Sequence, residues 1–273
     1  MKRPNFGFDG GFIMASWDGF EEAVEWYSEH MGWRCAGQEM VPAGKMAFFP
    51  LPRFGQANLK SFHDDFIHYK AGDLNEGHLR LCFSSEDLEA LTEYCAKKGI
   101  KVSEPALLPD GKKYVDITAY EGARITALEH PSIEACFPDS RLISFGAIAL
   151  IITVSDLDRS INWYEEVLGF EKLADVQHEG AVLLRMPISD HGQKEPDPSY
   201  PMHVWLIEDL SITGSLKGNP MSRVYFHIFP HEFEASISWL ASHGIDIPDK
   251  DLNDYHFYDP DGNRINVWSY EIY

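Results

Sequence analysis

Basic residues are scarce in this sequence. Lysine and arginine number 23 against 43 aspartate and glutamate residues, which gives a formal net charge of −20 at pH 7. A field of that sign repels polyanions. The sequence therefore argues against nucleic acid and against an anionic membrane surface as partners.

Long apolar runs are missing as well. No stretch approaches the roughly 20 apolar residues that a membrane-spanning helix needs. The start, MKRPNFGFDGGF, has two basic residues but lacks the apolar segment of a signal peptide. We expect neither a membrane span nor a secretory leader.

Cysteine is the third scarce residue type, and no two cysteines form a Cys-x-x-Cys pair. The four are Cys35, Cys82, Cys95 and Cys136. Such scattered positions are typical of reduced, mostly buried thiols rather than of a disulfide framework or a zinc site. The sequence predicts a cytoplasmic protein without a catalytic cysteine.

What the sequence does contain is a unit that recurs four times. In each copy a short apolar strand precedes an amphipathic helix, and further strand-like runs follow. The helices are predicted in DGFEEAVEWYSEHMG, SEDLEALTEYCAKKG, SDLDRSINWYEEVLG and PHEFEASISWLASHG. Ser84 and Ser155 are the predicted N-caps of the second and third helices. Each helix ends at a glycine in the C′ position, where a positive φ is favoured: Gly32, Gly99, Gly169 and Gly244.

Each copy therefore reads as a β-α-β-β-β module, and the predicted class is α+β. One helix covers one face of a four-stranded sheet, so the other face needs a partner. Two modules side by side would form a curved mixed sheet around a cleft. The segment 130–144 has two prolines and no periodicity, and it divides the chain into domains at 1–135 and 140–273. A second loop, 187–201, is either a binding loop or a solvated insertion.

Two motifs in the C-terminal half resemble a known family. VSDLDRSINWYEEVLGF in the third module and FYDPDGNRINVW in the fourth are similar to the vicinal oxygen chelate superfamily, which holds glyoxalases, bleomycin-resistance proteins, fosfomycin-resistance transferases and extradiol dioxygenases. The likeness is strongest over 144–270 and continues in register over 8–130. It implies four βαβββ modules forming two tandem glyoxalase-like domains, with curved mixed sheets around clefts. The motifs specify the fold and not the reaction.

The resemblance also implies where a metal would be held. In metal-dependent members, His and Glu side chains from the opening and last strands of paired modules bind a divalent ion, which acts as a Lewis acid. These positions correspond here to Gly11 or Phe12 with Lys60, His78 with Thr126, Ala149 with Trp205, and Arg223 with Asn266. Only His78 is a good ligand, and lysine and arginine repel a cation.

We therefore predict no metal site and no cofactor, with a divalent metal as the main alternative. Two points stay open at this stage. The first module pairs with either the second or the fourth, and the sequence does not decide between them. A nonstandard metal site could also form from His203, His227 and His256, which lie on strands of the same half.

Strand alternation predicts which side chains line the clefts. In the C-terminal half the sets that share a face are His203 with Trp205; Arg223, Tyr225 and His227; and Arg264, Asn266 and Trp268. The N-terminal cleft would offer Met14, Asn58, Lys60, Phe62, His78, Arg80 and Thr126. The candidate ligand-binding residues are His78, Lys60, Thr126, His203, Trp205, Arg223, Tyr225, His227, Asn266 and Trp268. For each, the alternative is a structural role in the core or at a strand end, because a one-residue slip in register reverses every facing.

Aromatic faces beside an arginine suit a flat or anionic organic molecule. The leading hypothesis is therefore metal-independent binding of a small organic molecule, aromatic or anionic, in a hydrophobic cleft. The rival is an enzyme: a metal-dependent glyoxalase-type lyase or isomerase, an extradiol-type dioxygenase, or a metal-free enzyme with His203 or His227 as general base. A third possibility is a scaffold whose clefts have lost their function. Monomer and homodimer are both compatible with the sequence.

Overall fold

All four predicted modules are present in the structure, a computed structural model, which confirms the α+β class. The residues that it describes are 2–41, 44–51, 56–62, 77–130, 139–189, 202–212 and 217–271. They fall into two compact units. The N-terminal unit comprises Gly10–Leu74 and Arg80–Gly146, and the C-terminal unit comprises Met1–Asp9, Asn75–Leu79 and Ala147–Tyr273.

Parts of two predicted features lie outside the described residues. These are 131–138 of the segment between the predicted domains and 190–201 of the proline-rich loop. The predicted domain limits, 1–135 and 140–273, stay a prediction.

The first module consists of β1 (Gly7–Met14), α1 (Phe20–Met31), β2 (Gly37–Val41), β3 (Gly44–Pro50) and β4 (Gln56–Phe62). The helix buries one stripe of side chains at helical spacing: Phe20, Ala23, Val24, Tyr27 and Met31. It ends at a glycine in the left-handed conformation, as predicted.

The second module consists of β5 (Leu79–Ser85), α2 (Leu88–Lys98), β6 (Ala106–Leu107), β7 (Lys113–Thr118) and β8 (Arg124–Glu129). Its helix buries Leu88, Leu91 and Cys95, so this cysteine is a core residue.

The third module consists of β9 (Ser144–Val154), α3 (Leu157–Trp163), β10 (Glu171–His178), β11 (Ala181–Arg185) and β12 (His203–Glu208). The helix continues beyond α3 as one π turn, Tyr164–Leu168, which buries Tyr164, Val167 and Leu168.

The fourth module consists of β13 (Ser222–Ile228), α4 (Phe233–Ser242), β14 (Asp249–Lys250), β15 (Asp254–Tyr258) and β16 (Arg264–Ser269). Its helix contacts one face of the module's strands, because Ser236 Oγ lies 2.6 Å from Tyr255 Oη and the Phe233 ring packs on the Tyr255 ring.

Strand pairing is the same in every module. The opening strand runs parallel to the last strand, and the remaining pairs are antiparallel. The orders are β2-β3-β4-β1, β6-β7-β8-β5, β10-β11-β12-β9 and β14-β15-β16-β13. A parallel pair needs a crossover connection. The helix of each module lies in that connection, so the repeated sequence pattern produces a repeated topology.

The predicted helix ends are partly corrected. All four predicted glycines have φ between +71° and +78°, which confirms their role after the helices. The N-caps predicted at Ser84 and Ser155 are wrong. Asp87 caps α2 by accepting from Ala90 N at 2.9 Å, and Asp156 caps α3 by accepting from Arg159 N at 2.9 Å. Each serine precedes its cap and still belongs to the strand or the strand end, so an aspartate lies nearer the free N–H groups.

The turn DPDGN between β15 and β16 is held by its own carboxylates. Asp259 accepts four hydrogen bonds, from Asp261 N, Asn263 N, Asn263 Nδ2 and Tyr164 Oη, at 2.8–2.9 Å. Burial raises the pKa of Asp259, and these donors partly offset that effect. The turn is therefore structural, and it joins β15 and β16 to the helix of the third module.

A second carboxylate of the same turn reaches the start of that helix. Asp261 accepts from Ser155 N at 3.1 Å and from Ser155 Oγ, and it pairs with Arg159 at 2.7 Å. The N-terminal unit repeats this arrangement with different residues. Glu121, in the turn between β7 and β8, accepts from Ser16 N and Ser16 Oγ ahead of α1.

The hydrogen bond between Tyr164 and Asp259 in the C-terminal unit has no equivalent among the described residues of the N-terminal unit. Tyr27 occupies in α1 the place that Tyr164 has after α3, and each ring stacks on an aromatic residue six positions later, Trp33 or Phe170. The Tyr27 hydroxyl is buried and has no hydrogen-bond partner among the described residues. Where Tyr164 has Asp259, the turn of the N-terminal unit has Ala119.

Within the described residues, none of the helices combines the length and the apolar character required to cross a bilayer.

We predict opposite consequences for two equivalent substitutions. Tyr164→Phe removes a donor to a buried carboxylate and should lower the free energy of unfolding by about 1–3 kcal/mol. Tyr27→Phe removes a buried hydroxyl without a partner and should leave stability unchanged or raise it. Urea unfolding of the two variants measures the difference. Equal destabilisation by both would contradict the assigned hydrogen bond.

Candidate functional site

The fourth module presents a polar face on the side of its strands opposite α4. Tyr255 faces the helix, and it pairs with Val267 in the register of β15 and β16. Since side chains alternate along a strand, the intervening residues share the other face. These are Arg223, Tyr225 and His227 on β13; Asp254, His256 and Tyr258 on β15; and Arg264, Asn266 and Trp268 on β16. We call this set the polar face.

Arg264, at the start of β16, is a buried cation with 6% of its surface exposed. Its guanidinium donates from Nε to Asn266 Oδ1 at 3.1 Å, from Nη1 to Asn219 Oδ1 at 2.9 Å and from Nη2 to His256 Nδ1 at 3.3 Å. None of these partners is a carboxylate. Burial lowers the pKa of Arg264, against the opposing effects of Tyr258, Asp249 and Asp254.

A second arginine shares one of these partners. Arg223, which is fully buried, donates from Nη2 to Asn219 Oδ1 at 2.8 Å and from Nε to Pro220 O at 2.8 Å. Two guanidinium groups thus converge on one amide oxygen. Lys217, two residues before Asn219, lies over the Tyr258 ring at 5.3 Å and adds a third cation.

Asn266 connects the two strands of the face. Its Oδ1 accepts from Arg264, and its Nδ2 donates to Val224 O on β13 at 2.9 Å. A carboxylate could not make the second bond, because it has no hydrogen to donate. The neutral amide therefore fits a position between an arginine and a main-chain carbonyl.

His227 is buried at the far end of the face and has partners at both ring nitrogens. Nε2 lies 2.9 Å from Tyr270 O, and Nδ1 lies 2.8 Å from Ser189 Oγ. A carbonyl oxygen only accepts, so Nε2 carries a hydrogen and donates to Tyr270 O; with Nε2 as the protonated nitrogen of a neutral imidazole, Nδ1 is the acceptor for Ser189 Oγ. The aromatic neighbours of the ring are Phe229 and Tyr270, at 4.9 and 4.5 Å.

Besides Tyr258, two aromatic side chains belong to the face. Tyr225 lies beside Asn266 in the register of β13 and β16, and Trp268 lies beside His227. Trp268 is partly exposed, whereas Tyr225 is buried. The face therefore combines cations, an amide, two histidines, the carboxylate of Asp254 and aromatic surface.

The other predicted site residues lie elsewhere in the structure. His203 and Trp205 are on β12, where Trp205 is fully buried and contacts the His178 ring. His78 precedes β5, and its main-chain N–H donates to Asn263 Oδ1 at 2.7 Å, which is a structural contact of the C-terminal unit. Lys60, on β4, is buried with its Nζ 4.4 Å from the centre of the Phe12 ring.

Thr126 belongs to a closed ion pair in the second module. Its hydroxyl donates to Asp116 Oδ1 at 2.6 Å, and Asp116 Oδ2 pairs with Arg80 Nη1 at 3.2 Å. Arg80 is thus neutralised by its own module. The pKa of Arg80 is raised: burial lowers it, and Asp116 together with Tyr114 more than offsets that effect.

Sequence reasoning did not identify three residues of this region. Asn219 lies in the segment before β13, outside the strand pattern, and Ser189 lies after β11. His256 was considered only as a metal ligand. No periodicity distinguishes these residues, because their role depends on which strands lie side by side.

The residues at the family's metal-ligand positions do not fit a divalent ion. Lys60 and Arg223 are cations. Thr126 and Asn266 are hydrogen-bonded to Asp116 and to Val224 O, and Trp205 is fully buried. Among the residues that the structure describes, no three His, Cys, Asp or Glu side chains are grouped so as to hold a metal, His203, His227 and His256 included. Imidazole and carboxylate donors are what such sites need.

Comparison with known proteins identifies the family. The sequence matches the Glyoxalase/Bleomycin resistance protein/Dioxygenase superfamily over residues 12–117 and 145–267. No curated protein matches the sequence. Among the solved structures that are similar over almost the whole chain, two are representative, and they support the fold alone because the identities are low.

The first is glyoxalase I from Zea mays, with 18% identity, 96% of this chain and 92% of that chain covered, and a TM-score of 0.63. The second is a putative dioxygenase from Bacillus subtilis subsp. subtilis str. 168, with 12% identity, 98% and 86% covered, and a TM-score of 0.63. The resemblance seen in the sequence is confirmed. With two matched segments and four modules, this chain belongs to the Glyoxalase/Bleomycin resistance protein/Dioxygenase superfamily as a tandem member.

Proposed function

We propose that this protein binds a small organic molecule on the polar face of the fourth module without a metal ion. The observation that carries the proposal is the chemistry of the face. Guanidinium and amide groups stand where metal-dependent relatives would need imidazole or carboxylate, and the partly exposed ring of Trp268 lies on the same side. Guanidinium donors and an aromatic surface suit a flat or anionic ligand.

The family supports binding without fixing a reaction. One scaffold in this superfamily supports several chemistries, so glyoxalase I and the putative dioxygenase, at 18% and 12% identity, do not transfer their activities to this chain. The absence of nucleic-acid partners is part of the same proposal and rests on the net charge of −20. A cytoplasmic location is also part of it and rests on the four scattered cysteines.

We predict that Trp268→Ala weakens binding of an aromatic probe such as 1-naphthamide or 1-naphthoate by about tenfold. The reason is the loss of stacking surface, worth about 1.5 kcal/mol including buried area. Isothermal titration calorimetry measures the affinity. Trp239→Ala is the matched control, because Trp239 is also partly exposed but lies on α4, on the other side of the strands. Equal affinities of the Trp268 variant and the wild type would contradict the assignment of the site.

We further predict that the purified chain contains no stoichiometric divalent ion. Elemental analysis, together with thermal unfolding in the presence and absence of chelator, is the measurement. Added Zn²⁺, Ni²⁺ or Mn²⁺ should not raise Tm, because a ligand stabilises only a state that it binds. One tightly held ion per chain, whose removal lowers Tm, would replace this proposal with a metal-dependent enzyme.

A second candidate function is metal-free catalysis with His227 as general base. The specific observation is the 2.8 Å contact between Ser189 Oγ and His227 Nδ1, in a ring oriented by Tyr270 O. A hydroxyl beside an oriented imidazole is the arrangement that activates a nucleophile. Both residues are buried, and the same contacts also satisfy a core histidine.

This candidate predicts covalent labelling of Ser189 by a fluorophosphonate reagent, detected by mass spectrometry. His227→Gln should abolish the labelling, and Ser189→Ala should remove the modified peptide. An unlabelled wild-type protein would leave His227 with a structural role only.

A further inference from the structure

The second module serves as an internal reference for the fourth. In each of the two modules, the last strand pairs with the opening strand on one side and with the preceding strand, β7 or β15, on the other. The register makes Asp116 equivalent to His256, since Asp116 lies opposite Thr126 and His256 lies opposite Asn266. Arg124 and Arg264 each begin the last strand.

The two modules differ in the residue at this position. In the second module, Asp116 supplies a carboxylate that accepts from the partly buried Arg80 and from Thr126. Arg80 is the equivalent of Arg223, because Cys82 lies beside Thr126 and Tyr225 lies beside Asn266. In the fourth module, the position equivalent to Asp116 is a histidine. His256 Nδ1 accepts from Arg264, which always donates, so this nitrogen carries no hydrogen and contributes no negative charge to the contact.

Arg264 is a buried cation that donates hydrogen bonds to two amides and an imidazole, and the Tyr258 hydroxyl also interacts with it. Taking a charge out of water without a counter-charge is unfavourable. Burial lowers the pKa of Arg264, and Tyr258, Asp249 and Asp254 offset that effect only in part. Among the described residues, the groups that accept hydrogen bonds from this guanidinium are neutral.

The amide oxygen at the centre of the cluster is a weak substitute for an anion. Asn219 Oδ1 accepts from Arg223 at 2.8 Å and from Arg264 at 2.9 Å, which uses both of its lone pairs. A carboxylate offers more acceptor sites and a negative charge, and it matches the planar guanidinium. An anion bound beside Asn219 would supply what Asp116 supplies in the second module.

The face also limits the shape of such a ligand. Arg264 and Trp268 are four residues apart on one side of β16, so their Cα atoms are separated by about 13 Å at about 3.3 Å per residue. Asn266 lies between them, with Tyr225 beside it in the register. That span accommodates a body of one or two rings with an acidic group at one end.

We propose that the ligand of the polar face is an organic carboxylate, whose anionic group pairs with Arg264 beside Asn219 and whose aromatic body lies toward Trp268. This inference rests on the proposed function and specifies the substrate class of the same site. Neutral aromatic molecules are then not the principal ligands of the polar face.

The test uses two probes with the same rings, 1-naphthoate and 1-naphthamide, which differ in the charged group. Calorimetric titration of the full chain should give naphthoate an affinity about 10- to 100-fold higher than that of the amide, as expected for hydrogen bonds to a charged partner. Sodium chloride should weaken naphthoate binding and leave the amide unaffected.

Two variants locate the effect. Arg264→Met keeps the apolar stem, removes the charge, and should abolish the preference for naphthoate. His256→Asp introduces the carboxylate of the second module and should do the same by neutralising the cluster internally. Arg124→Met is the matched control in the second module and should keep the wild-type preference. Circular dichroism establishes that each variant is folded.

The outcomes separate this inference from the function on which it rests. If both probes bind with equal affinity and Trp268→Ala weakens both, the face binds organic molecules but the carboxylate inference is overturned. If neither probe binds, both proposals fail. If naphthoate is preferred and Arg264→Met or His256→Asp does not reduce the preference, the anion lies elsewhere and the inference is overturned.

Discussion

The parallel pairing of the first and last strands of each module is the constraint on which the rest of this structure depends. Because the helix lies in the connection that parallel pairing requires, it covers one side of the four strands and leaves the other side for other residues. In the fourth module the pairing of β13 with β16 brings Tyr225 beside Asn266 and His227 beside Trp268. The polar face exists because residues more than 40 positions apart in sequence are adjacent in register.

Equivalent turns and helices of the two units are held in place by different residues. The turn before the last strand is tied to a neighbouring helix start by Asp261 in one unit and by Glu121 in the other. Tyr164 has a buried acceptor, and Tyr27 has none among the residues that the structure describes. A buried hydroxyl without a hydrogen-bond partner costs stability. Of the two equivalent tyrosines, only Tyr164 makes this hydrogen bond among the described residues.

The second and fourth modules differ in the charge of the groups that contact their arginines. A carboxylate, Asp116, pairs with Arg80 in the second module, whereas the groups that accept hydrogen bonds from Arg264 in the fourth are neutral. At the position of Asp116 the fourth module has His256. The superfamily's fold thus indicates where a site can form, and the residues on its faces decide which chemistry the site offers.

Much of the architecture could be predicted from the sequence because it depends on local patterns. Helical spacing of apolar residues and glycines with positive φ define the four modules, and the motifs around DPDGN and the third helix identify the superfamily. The helix starts were harder to predict. Ser84 and Asp87 are both good caps, and only the backbone path shows that the aspartate faces the free N–H groups.

The composition of the candidate site depended on tertiary structure. Strand alternation correctly separates Arg264, Asn266 and Trp268 from Ile265 and Val267, since alternation is a property of the strand itself. The place of Asn219 between two arginines, the contact of His227 with Ser189 and the histidine that stands in for Asp116 have no local signature. They arise only when distant strands and loops meet, because hydrogen bonds and charges act through space and not along the chain.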